Sequence, residues 1–560
     1  MADENNNQTN EKSELTFWAD QIALELKHRI ETNPNLKAIY NKQGILIYDE
    51  KTPSGKIHIG SGRGWVIHDV IAKSCRKIGL NAKFILASDD MDPYDKPNKD
   101  LPDTFNQYLG VPFRYMPSPV EGYKSFGDYY FRESTDHFSE IGIECEFEST
   151  GENYETGVFN DAIKTALDNS DKIKLIFEEM YKKPYPRLPF NMICDKCGKI
   201  ATTAATKWDS VKGLVYYTCE ENLVAWAKGC GHSAWKSPYN GGGKFPWKVE
   251  WPAKWISKGV LCEFAGKDHF SSGGSRDIGV RISNEVFNYP PPYPSDGTEP
   301  GLGYEFFTVG GKKMSTSKGR GFSFSETVEL LPPQMLRYLL VKTRPGAVID
   351  FDPETRNDLI LLFERFDKTE RVYFGKEEEA DEREKLNSKR IYELSHLGEI
   401  PKEMPVQLPL TYSATVIQCA KDENDAIEQM KKSGHIKKDA SKAEIESAKH
   451  RLIDAKKWAE NFAPEQYRFK INESVPDNLN LSDNQKKVLK EIAKALLEKE
   501  YSENEMPEKL FEISKAVGVT PKEMFEAAYK VLISKTQGPK LGGFILTIGQ
   551  TKVAEMFEKV

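Results

Sequence analysis

Two short apolar segments, separated by a glycine-containing turn and a helical pattern, constrain the fold of this chain more than any other feature. Residues 44–48 form a compact apolar run that predicts a buried strand. A turn at residues 53–60 follows directly, residues 65–78 then show helical periodicity, and residues 83–87 form a second apolar run. Because parallel strands need a long crossover connection, this succession predicts two parallel strands joined by a helix.

The predicted second strand ends in polar residues, which indicates where a ligand would lie. Asp89, Asp90 and Asp92 follow it directly. In open parallel sheets, ligands bind beyond the carboxyl ends of the strands. We therefore predict an α/β fold whose catalytic domain is a Rossmann-like parallel sheet.

The strand pattern is interrupted once and then resumes. Apolar strand patterns return near residues 260–264 and 305–309. We therefore expect the catalytic domain in two halves, residues 15–184 and 246–345, with residues 185–245 as an insertion between them.

The insertion contains a cluster of metal-ligating residue types. Cys194 and Cys197 are two residues apart in the knuckle spacing, and Cys219, Cys230 and His232 follow about 20 to 35 residues later. Soft ligands in this pattern suit tetrahedral zinc. Three residues compete for the two remaining positions, and the spacing leaves that choice open. A site ligated fully by protein has no open position for water, so we predict a structural zinc.

The bulk properties exclude several classes of protein. The formal net charge of −7 excludes a protein that coats nucleic acid by overall charge, although it permits a local basic groove. No apolar run approaches the ~18–20 residues of a membrane span. Residues 1–14 are rich in Asn and Glu and predict a disordered tail. Eight cysteines in 560 residues are too few for a disulfide scaffold, so we expect a reducing, cytoplasmic compartment.

Residues 346–560 are predicted to form a helical domain, because strand signals fade and long amphipathic patterns dominate. The clearest helical patterns cover residues 357–369, 442–461, 482–501 and 507–517. The nearly all-charged run 376–385 is interpreted as a solvated helix or linker rather than an interaction tract.

The turn after the first predicted strand has the residue types that contact phosphate. Helix N-termini present unpaired N–H groups and a partial positive charge. Gly55 and Gly60 allow a nucleotide to approach the backbone, and His58 can donate to a phosphate oxygen. Pro53 and Ser61 complete the candidate phosphate-binding segment. The alternative is an ordinary strand–helix turn with an incidental histidine.

A second segment far along the chain has matching chemistry. Lys313, Met314, Ser315, Ser317 and Lys318 lie between glycines, which favours a mobile loop whose lysines and hydroxyls surround a triphosphate. The alternative is a basic surface loop. Lys313 lies 255 residues after His58 (313 minus 58), so the fold must bring the two segments together if they form one site.

Together, these segments resemble the paired signature sequences of the class I aminoacyl-tRNA synthetases, written HIGH and KMSKS. The resemblance implies that both bind ATP and that His58 and Lys313 stabilise the transition state of adenylate formation. Two positions depart from the pattern, with Ser61 in place of the second histidine and Thr316 in place of the second lysine. Lys318 can supply the missing lysine charge.

More specifically, the chain resembles the class I lysyl-tRNA synthetases. The matching segments are residues 52–55, 88–92, 266–269, 313–319 and 537–542. This resemblance implies the substrates lysine, ATP and tRNA(Lys), with Mg²⁺ accompanying ATP and a C-terminal anticodon-binding domain. It also implies that lysine activation needs bound tRNA. We further expect a monomer.

The resemblance also implies further site residues. Gly266 and Asp268 would lie against the nucleotide, with Asp268 accepting from a ribose hydroxyl. Trp251, His269 and Tyr304 fall where the family closes the lysine pocket, and aromatic walls grip an alkyl stem and its ammonium. The plain alternative for Trp251 and Tyr304 is that each fills the core.

The charges near the first segment favour lysine over glutamate. A glutamate site needs a cation, and the glutamyl enzymes place an arginine just before the first signature. Residues 48–52 contain no arginine. Asp89, Asp90 and Asp92 can pair with an ammonium, and Thr52 is a further candidate contact. Aspartates at strand ends are also common as helix caps or metal ligands. A glutamyl-type or other class I synthetase, and a non-catalytic synthetase-like RNA-binding protein, remain the alternatives.

Overall fold

The computed structural model describes residues 16–299, 301–313 and 322–560. The predicted disordered tail at residues 1–14 therefore lies outside the described residues, as do Met314, Ser315, Ser317 and Lys318 of the second segment. The chain forms two compact units. The first comprises the described residues up to Glu329 with Leu336–Phe351 and Glu378–Glu399, and the second comprises Leu330–Met335, Asp352–Glu377 and Ile400–Val560.

Twelve strands lie in the described parts of the chain. They are β1 (Ile45–Lys51), β2 (Ala82–Ser88), β3 (Glu146–Ser149), β4 (Asn191–Met192), β5 (Thr203–Asp209), β6 (Leu214–Cys219), β7 (Ser233–Lys236), β8 (Gly243–Lys244), β9 (Val260–Cys262), β10 (Phe307–Val309), β11 (Lys312–Lys313) and β12 (Ile349–Asp350).

Helices make up most of the remaining regular structure. They are α1 (Trp18–Thr32), α2 (Pro34–Gln43), α3 (Ile59–Lys77), α4 (Phe126–Thr135), α5 (Thr150–Glu155), α6 (Asn160–Asp168), α7 (Ser170–Tyr181), α8 (Trp247–Lys258), α9 (Ser275–Glu285), α10 (Phe324–Leu330), α11 (Pro333–Lys342), α12 (Asp358–Tyr373), α13 (Glu382–Ser395), α14 (Leu410–Cys419), α15 (Glu423–Lys432), α16 (Lys442–Asn461), α17 (Asp483–Glu498), α18 (Glu505–Val517), α19 (Pro521–Ile533), α20 (Leu541–Ile548) and α21 (Gln550–Glu558). None of the helices in the described ranges combines the length and apolar character needed to cross a bilayer.

The centre of the first unit is a four-stranded sheet in the order β3-β2-β1-β9, with every neighbouring pair parallel. From β1 the chain passes through α3 to β2 on one side, and much later it returns as β9 on the other side. The strand order therefore reverses at β1, and ligands of open parallel sheets bind at such reversal points. The predicted α/β class with a parallel sheet is confirmed.

Alternate residues of β1 pack on opposite faces of this sheet, as the period of a strand requires. Leu46 and Tyr48 join a buried core with Ile85. On the other face, His68 of α3 stacks on Phe84 with ring centroids 5.4 Å apart. Both faces are covered, which accounts for the continuous apolar run that predicts β1 in the sequence.

The insertion contains its own antiparallel sheet. Strands β5, β6 and β7 pair in that order, with Thr203 opposite Cys219 and Tyr216 opposite Trp235. A short pairing of β4 with β8 closes the insertion near its ends.

Among the described residues of the second unit, all regular secondary structure is helical. Capping boxes begin three of its helices, at Ser441 for α16, Ser482 for α17 and Thr520 for α19. In each, the cap side chain and the residue three positions later satisfy two backbone amides reciprocally.

The division between the units differs from the expected boundary at residue 345. Strand β12 pairs with β10, and Arg390 of α13 forms an ion pair with Asp20 of α1 at 2.9 Å. Residues 346–351 and 378–399 therefore belong to the first unit. The second of these ranges contains most of the charged run interpreted from the sequence as a solvated helix or linker.

Candidate functional site

The fold brings residues 322–324, which follow the second phosphate-directed segment, beside the first segment. Phe324 N donates to Ile57 O at 2.7 Å, and Ile59 N donates to Phe322 O at 3.4 Å. His58 and Ser323 form an antiparallel bridge between these contacts. The chain leaving the second segment thus pairs directly with the first segment.

His58 is the N-cap residue of α3, and its side chain does not cap the helix. The imidazole lies against Gly60 instead, because a Cβ at residue 60 would fall 2.8 Å from His58 Nδ1. Ser61 N donates back to His58 O at 3.0 Å. The helix start therefore needs glycine at residue 60 for the histidine to lie over it.

Arg63 of α3 links the first segment to the strands that carry the second. Its buried guanidinium donates to Glu305 O at 2.7 Å and to Phe306 O at 3.1 Å, just before β10. The other terminal nitrogen donates to the carbonyls of Arg344, Pro345 and Ala347, just before β12. Burial lowers the pKa of Arg63 to about 10, so the side chain remains charged at neutral pH.

A pocket opens at the carboxyl end of β1 beside the chain that follows β9, the position where the strand order reverses. Its lining is acidic and aromatic, with one lysine. The lining residues are Asp49, Glu50, Lys51, Ser61, Trp65, Trp247, Trp251, Glu263, Phe264, Ala265, Gly266, His269 and Tyr304.

Five residues predicted from the sequence meet in this pocket, namely Ser61, Trp251, Gly266, His269 and Tyr304. The Trp251 ring centroid lies 5.7 Å from that of His269, edge to face. Burial lowers the pKa of His269, which favours the neutral imidazole. Gly266 precedes a short 3₁₀ helix, Lys267–Phe270, and pairs with Tyr304 in a parallel bridge.

Asp268 lies in the same 3₁₀ helix, but it is exposed and does not line the pocket. Two further residues predicted to contact the nucleotide lie in the turn after β1. There Pro53 is buried and Gly55 is half-buried. The backbone of Lys313 pairs with Thr308 in the β10–β11 ladder.

The structure pairs two of the predicted aspartates with a lysine of the protein itself. Lys244 Nζ lies 3.0 Å from Asp89 Oδ1 and also contacts Asp92 Oδ1. Thr52 Oγ1 donates to the other oxygen of Asp92 at 3.0 Å. Glu250 completes the contacts of Lys244 at 2.9 Å.

Asp90 has separate partners. Its carboxylate accepts from Arg114 Nη1 at 3.2 Å, from Ser149 Oγ at 2.7 Å and from Gly151 N at 2.8 Å. None of Asp89, Asp90 and Asp92 lines the pocket.

Glu50 is the carboxylate that connects this buried charge network to the pocket. One of its oxygens contacts Lys254 Nζ, which also lies 3.1 Å from Glu250. The other oxygen, Oε1, is buried and has no hydrogen-bond partner among the described residues. Burial raises the pKa of Glu50 well above its usual range, against the opposing effect of Lys254.

Sequence reasoning missed Lys244, Glu250 and Lys254. The last two are four residues apart on α8, in an otherwise aromatic and apolar stretch. Charged residues at that spacing share one helix face. Two opposite charges on one face, with apolar and aromatic neighbours in the sequence, were the signal that could have indicated a buried ion pair.

The four cysteine sulfurs of the insertion lie within 4.8 Å of one another. Cys194 Sγ is 3.6 Å from Cys230 Sγ, and Cys197 Sγ is 3.7 Å from Cys219 Sγ. A tetrahedral zinc with Zn–S bonds of about 2.3 Å holds its sulfurs about 3.8 Å apart. The sulfurs therefore fit zinc, and His232 lies outside the group.

With this geometry in place, comparison with known proteins identifies the family. A family model described as tRNA synthetases class I (K) matches residues 16–398. The chain belongs to this family.

Two archaeal relatives match almost the whole chain. The lysine–tRNA ligase of Methanosphaera stadtmanae is 31% identical over 554 residues, which cover 96% of this chain and 98% of the relative. That of Methanocaldococcus jannaschii is 32% identical over 554 residues, with coverages of 96% and 99%. A solved glutamate tRNA ligase from Elizabethkingia meningosepticum covers 92% of this chain and 98% of its own at 11% identity, with a TM-score of 0.42 that is too low to bear on substrate choice.

Proposed function

We propose that this protein joins lysine to tRNA(Lys) in two steps. A lysine carboxylate oxygen attacks the α-phosphorus of ATP, the bond from that phosphorus to the bridging oxygen breaks, and pyrophosphate leaves with the electron pair. A hydroxyl of the terminal tRNA ribose then attacks the carbonyl carbon and loses its proton, and AMP leaves. Alignment of these groups supplies much of the acceleration, since no covalent enzyme intermediate is needed.

The observation that carries the choice of lysine is the charge of the pocket. Among the described residues, Asp49, Glu50 and Glu263 line it and Lys51 is the one cation. Burial raises the pKa of Glu50 and of Glu263, and a bound ammonium would favour the ionised form of both. A site for glutamate would face two substrate carboxylates with that one cation. The acidic lining, with its aromatic walls, favours a substrate that carries an extra ammonium.

Within this site, Glu50 is the residue we assign to the substrate ammonium. Its buried Oε1 has the acceptor capacity that a bound ammonium would use, whereas Asp89, Asp90 and Asp92 already contact Lys244 or Arg114. A buried carboxylate oxygen without a hydrogen-bond donor destabilises the protein, and a bound ammonium removes this penalty by donating to that oxygen. The three aspartates then support the wall indirectly, and Thr52 holds Asp92.

For ATP, we assign the phosphates to the junction of the two segments. His58 and Lys313 would stabilise negative charge that grows on the phosphates, and Mg²⁺ would accompany ATP. The further nucleotide contacts in this proposal are Pro53, Gly55, Gly60, Ser61, Gly266, Asp268, Met314, Ser315, Ser317 and Lys318.

A structural zinc in the insertion forms part of the proposal. Cys194, Cys197, Cys219 and Cys230 supply four thiolates, which fill a tetrahedral shell without His232. Such a site adds folding free energy to a module with little core of its own.

The second unit is our candidate for the anticodon-binding domain. Unpaired anticodon bases are recognised by aromatic stacking with lysine contacts to phosphate. A monomeric state and a cytoplasmic location remain predictions.

Pyrophosphate exchange with each standard amino acid, run with and without tRNA, tests the proposal. We expect exchange with lysine alone, and only when tRNA is bound. Preferential exchange with glutamate would replace this function by that of a glutamyl-type enzyme. His58→Ala and Lys313→Ala should abolish aminoacylation and leave tRNA binding intact. If wild-type protein binds tRNA and activates no amino acid, the chain is a non-catalytic RNA-binding relative.

A further inference from the structure

Lys51 is the one cation that lines the pocket in the described part of the chain. It is the last residue of β1, directly before the phosphate-directed turn. Its ammonium makes no hydrogen bond and no ion pair with any described residue, whereas Lys244 and Lys254 each contact several carboxylates. The pocket therefore has a cation with no contacting anion among the described residues.

The nearest candidate within the chain is otherwise engaged. Asp49 shares a strand face with Lys51, because residues two apart on a strand point the same way. However, Asp49 Oδ2 lies 3.3 Å from His68 Nδ1, and Asp49 Oδ1 accepts from Glu50 N at 2.8 Å. Phe264 N donates to His68 Nε2 at 2.9 Å, which leaves the His68 proton on Nδ1, facing Asp49 and Gly64 O.

Burial lowers the pKa of Lys51, with Asp49 opposing the shift. An ammonium removed from water without a contacting anion behaves in this way. An anion bound in the pocket would compensate that desolvation.

We propose that Lys51 is the anion subsite of this pocket and that it binds the α-carboxylate of the amino-acid substrate. Glu50 and Lys51 are consecutive residues of β1, so their side chains leave the strand on opposite sides. The pocket thereby separates a carboxylate subsite from an ammonium subsite. This assignment rests on the proposed function and adds the group that holds the reacting carboxylate.

The position also suits the chemistry of adenylate formation. Lys51 touches the reacting carboxylate and is therefore a catalytic residue in this proposal. It lies seven residues before His58, at the start of the turn that leads to the phosphates. A carboxylate held here would lie beside the phosphate-directed turn, and holding two reacting groups in near-attack geometry lowers the barrier.

The test compares two ligands that differ only in the carboxylate. Binding of lysine and of cadaverine, its decarboxylated form, is measured by calorimetry on full-length protein with tRNA present. For Lys51→Met we expect a loss of about 10- to 100-fold in lysine affinity, the range for a hydrogen bond to a charged group. Cadaverine affinity should stay the same or rise, since the variant removes a like charge.

Two matched variants separate this role from a structural one. Lys51→Arg keeps the charge and should retain most lysine binding. Lys83→Met removes an exposed lysine of the neighbouring strand, paired with Glu146 at 3.2 Å, and should leave both affinities unchanged. Equal losses for lysine and cadaverine in Lys51→Met, or no loss for either, would overturn the proposal.

Failure of the proposed function would give a different result. If wild-type protein exchanges pyrophosphate with another amino acid, the same comparison is run with that amino acid and its decarboxylated amine. If Lys51→Met then no longer binds the amino acid more tightly than its amine, the anion subsite is supported and the assignment of lysine as the substrate is wrong.

Discussion

The guanidinium of Arg63 donates to Glu305 O at 2.7 Å and thereby joins the helix after the first signature segment to the strand before the second. Its remaining bonds hold the chain at Arg344, Pro345 and Ala347. Together with the backbone pairing of residues 57–59 and 322–324, this one side chain fixes α3 against the chain before β10 and β12.

Replacing Arg63 should loosen that arrangement. Arg63→Lys cannot reach all five carbonyls, because lysine has a single nitrogen in place of the planar fork. We expect kcat for aminoacylation to fall by about 10- to 100-fold, since small misplacements of reacting groups cost that much. Arg132→Lys, at an exposed arginine of α4, is the control and should be neutral. Unchanged kcat in Arg63→Lys would show that the hydrogen bonds of Arg63 are not needed for catalysis.

Gly60 is expected to be intolerant of even one methyl group. The Cβ of Gly60→Ala would fall 2.8 Å from His58 Nδ1 and force the imidazole to move. Steady-state kinetics should show a fall in kcat, because His58 is the proposed donor to the phosphates. Gly543→Ala is the matched control, since that helical glycine has open space around its Cβ. There we expect a stability gain of about 0.5–1 kcal/mol and unaltered kinetics.

The sequence predicts the buried parallel strands because their apolar runs report burial directly. The helical pattern is clear only from residue 65, although α3 begins at Ile59, inside the turn where the first phosphate-directed segment favours a helix start. Gly60, Gly62 and Gly64 weaken the helical pattern there. They are needed for close approach of His58, Phe324 and Tyr304 to the helix.

Longer-range features left less signal in the sequence. Nothing local indicates that Lys244 pairs with Asp89, which lies 155 residues earlier in the chain. The aspartates could therefore be found as an acidic cluster, but their protein partner could not. The aromatic walls Trp251, His269 and Tyr304 were found by family resemblance, because an isolated aromatic residue looks the same in a core and in a pocket.

The buried charge network behind the pocket should be costly to break. Lys244→Met leaves Asp89, Asp92 and Glu250 without their shared cation, and breaking a buried pair typically costs about 3–5 kcal/mol. Lys499→Met, at an exposed pair with Glu505, should cost no more than about 1 kcal/mol. Chemical unfolding followed by tryptophan fluorescence compares the two. A similarly small loss of unfolding free energy in both variants would mean that Lys244 does not form the buried ion pairs described here.

Zinc should depend on the cysteines and not on His232. Cys194→Ser should lose stoichiometric metal and the hydrogen-exchange protection of β5, β6 and β7, because the thiolates join the ends of this sheet. His232→Ala should keep its metal, as should Cys145→Ser outside the cluster. Metal analysis by mass spectrometry decides. Loss of zinc in His232→Ala would return the histidine to the ligand set.

Glu263 should make stability depend on pH in a definite direction. Burial raises the pKa of Glu263 to about 7 from the ordinary value of 4.5, although Arg276 opposes the shift. The folded state therefore holds a proton that the unfolded state releases, so the free energy of unfolding falls as pH rises from about 4.5 to about 7 and then levels off.

In Glu263→Gln this loss should be absent, while the bond from Trp255 Nε1, 2.5 Å in the wild type, can still form to the amide oxygen. Thermal unfolding of both proteins across this pH range measures the difference. As pH rises through this range, we expect the unfolding free energy of the variant to increase relative to that of the wild type by up to about 3 kcal/mol. This follows from about 1.4 kcal/mol per unit of pKa difference. A difference that is constant with pH, or that grows toward acid, would show that Glu263 is ionised in the folded protein, with Arg276 outweighing the effect of burial.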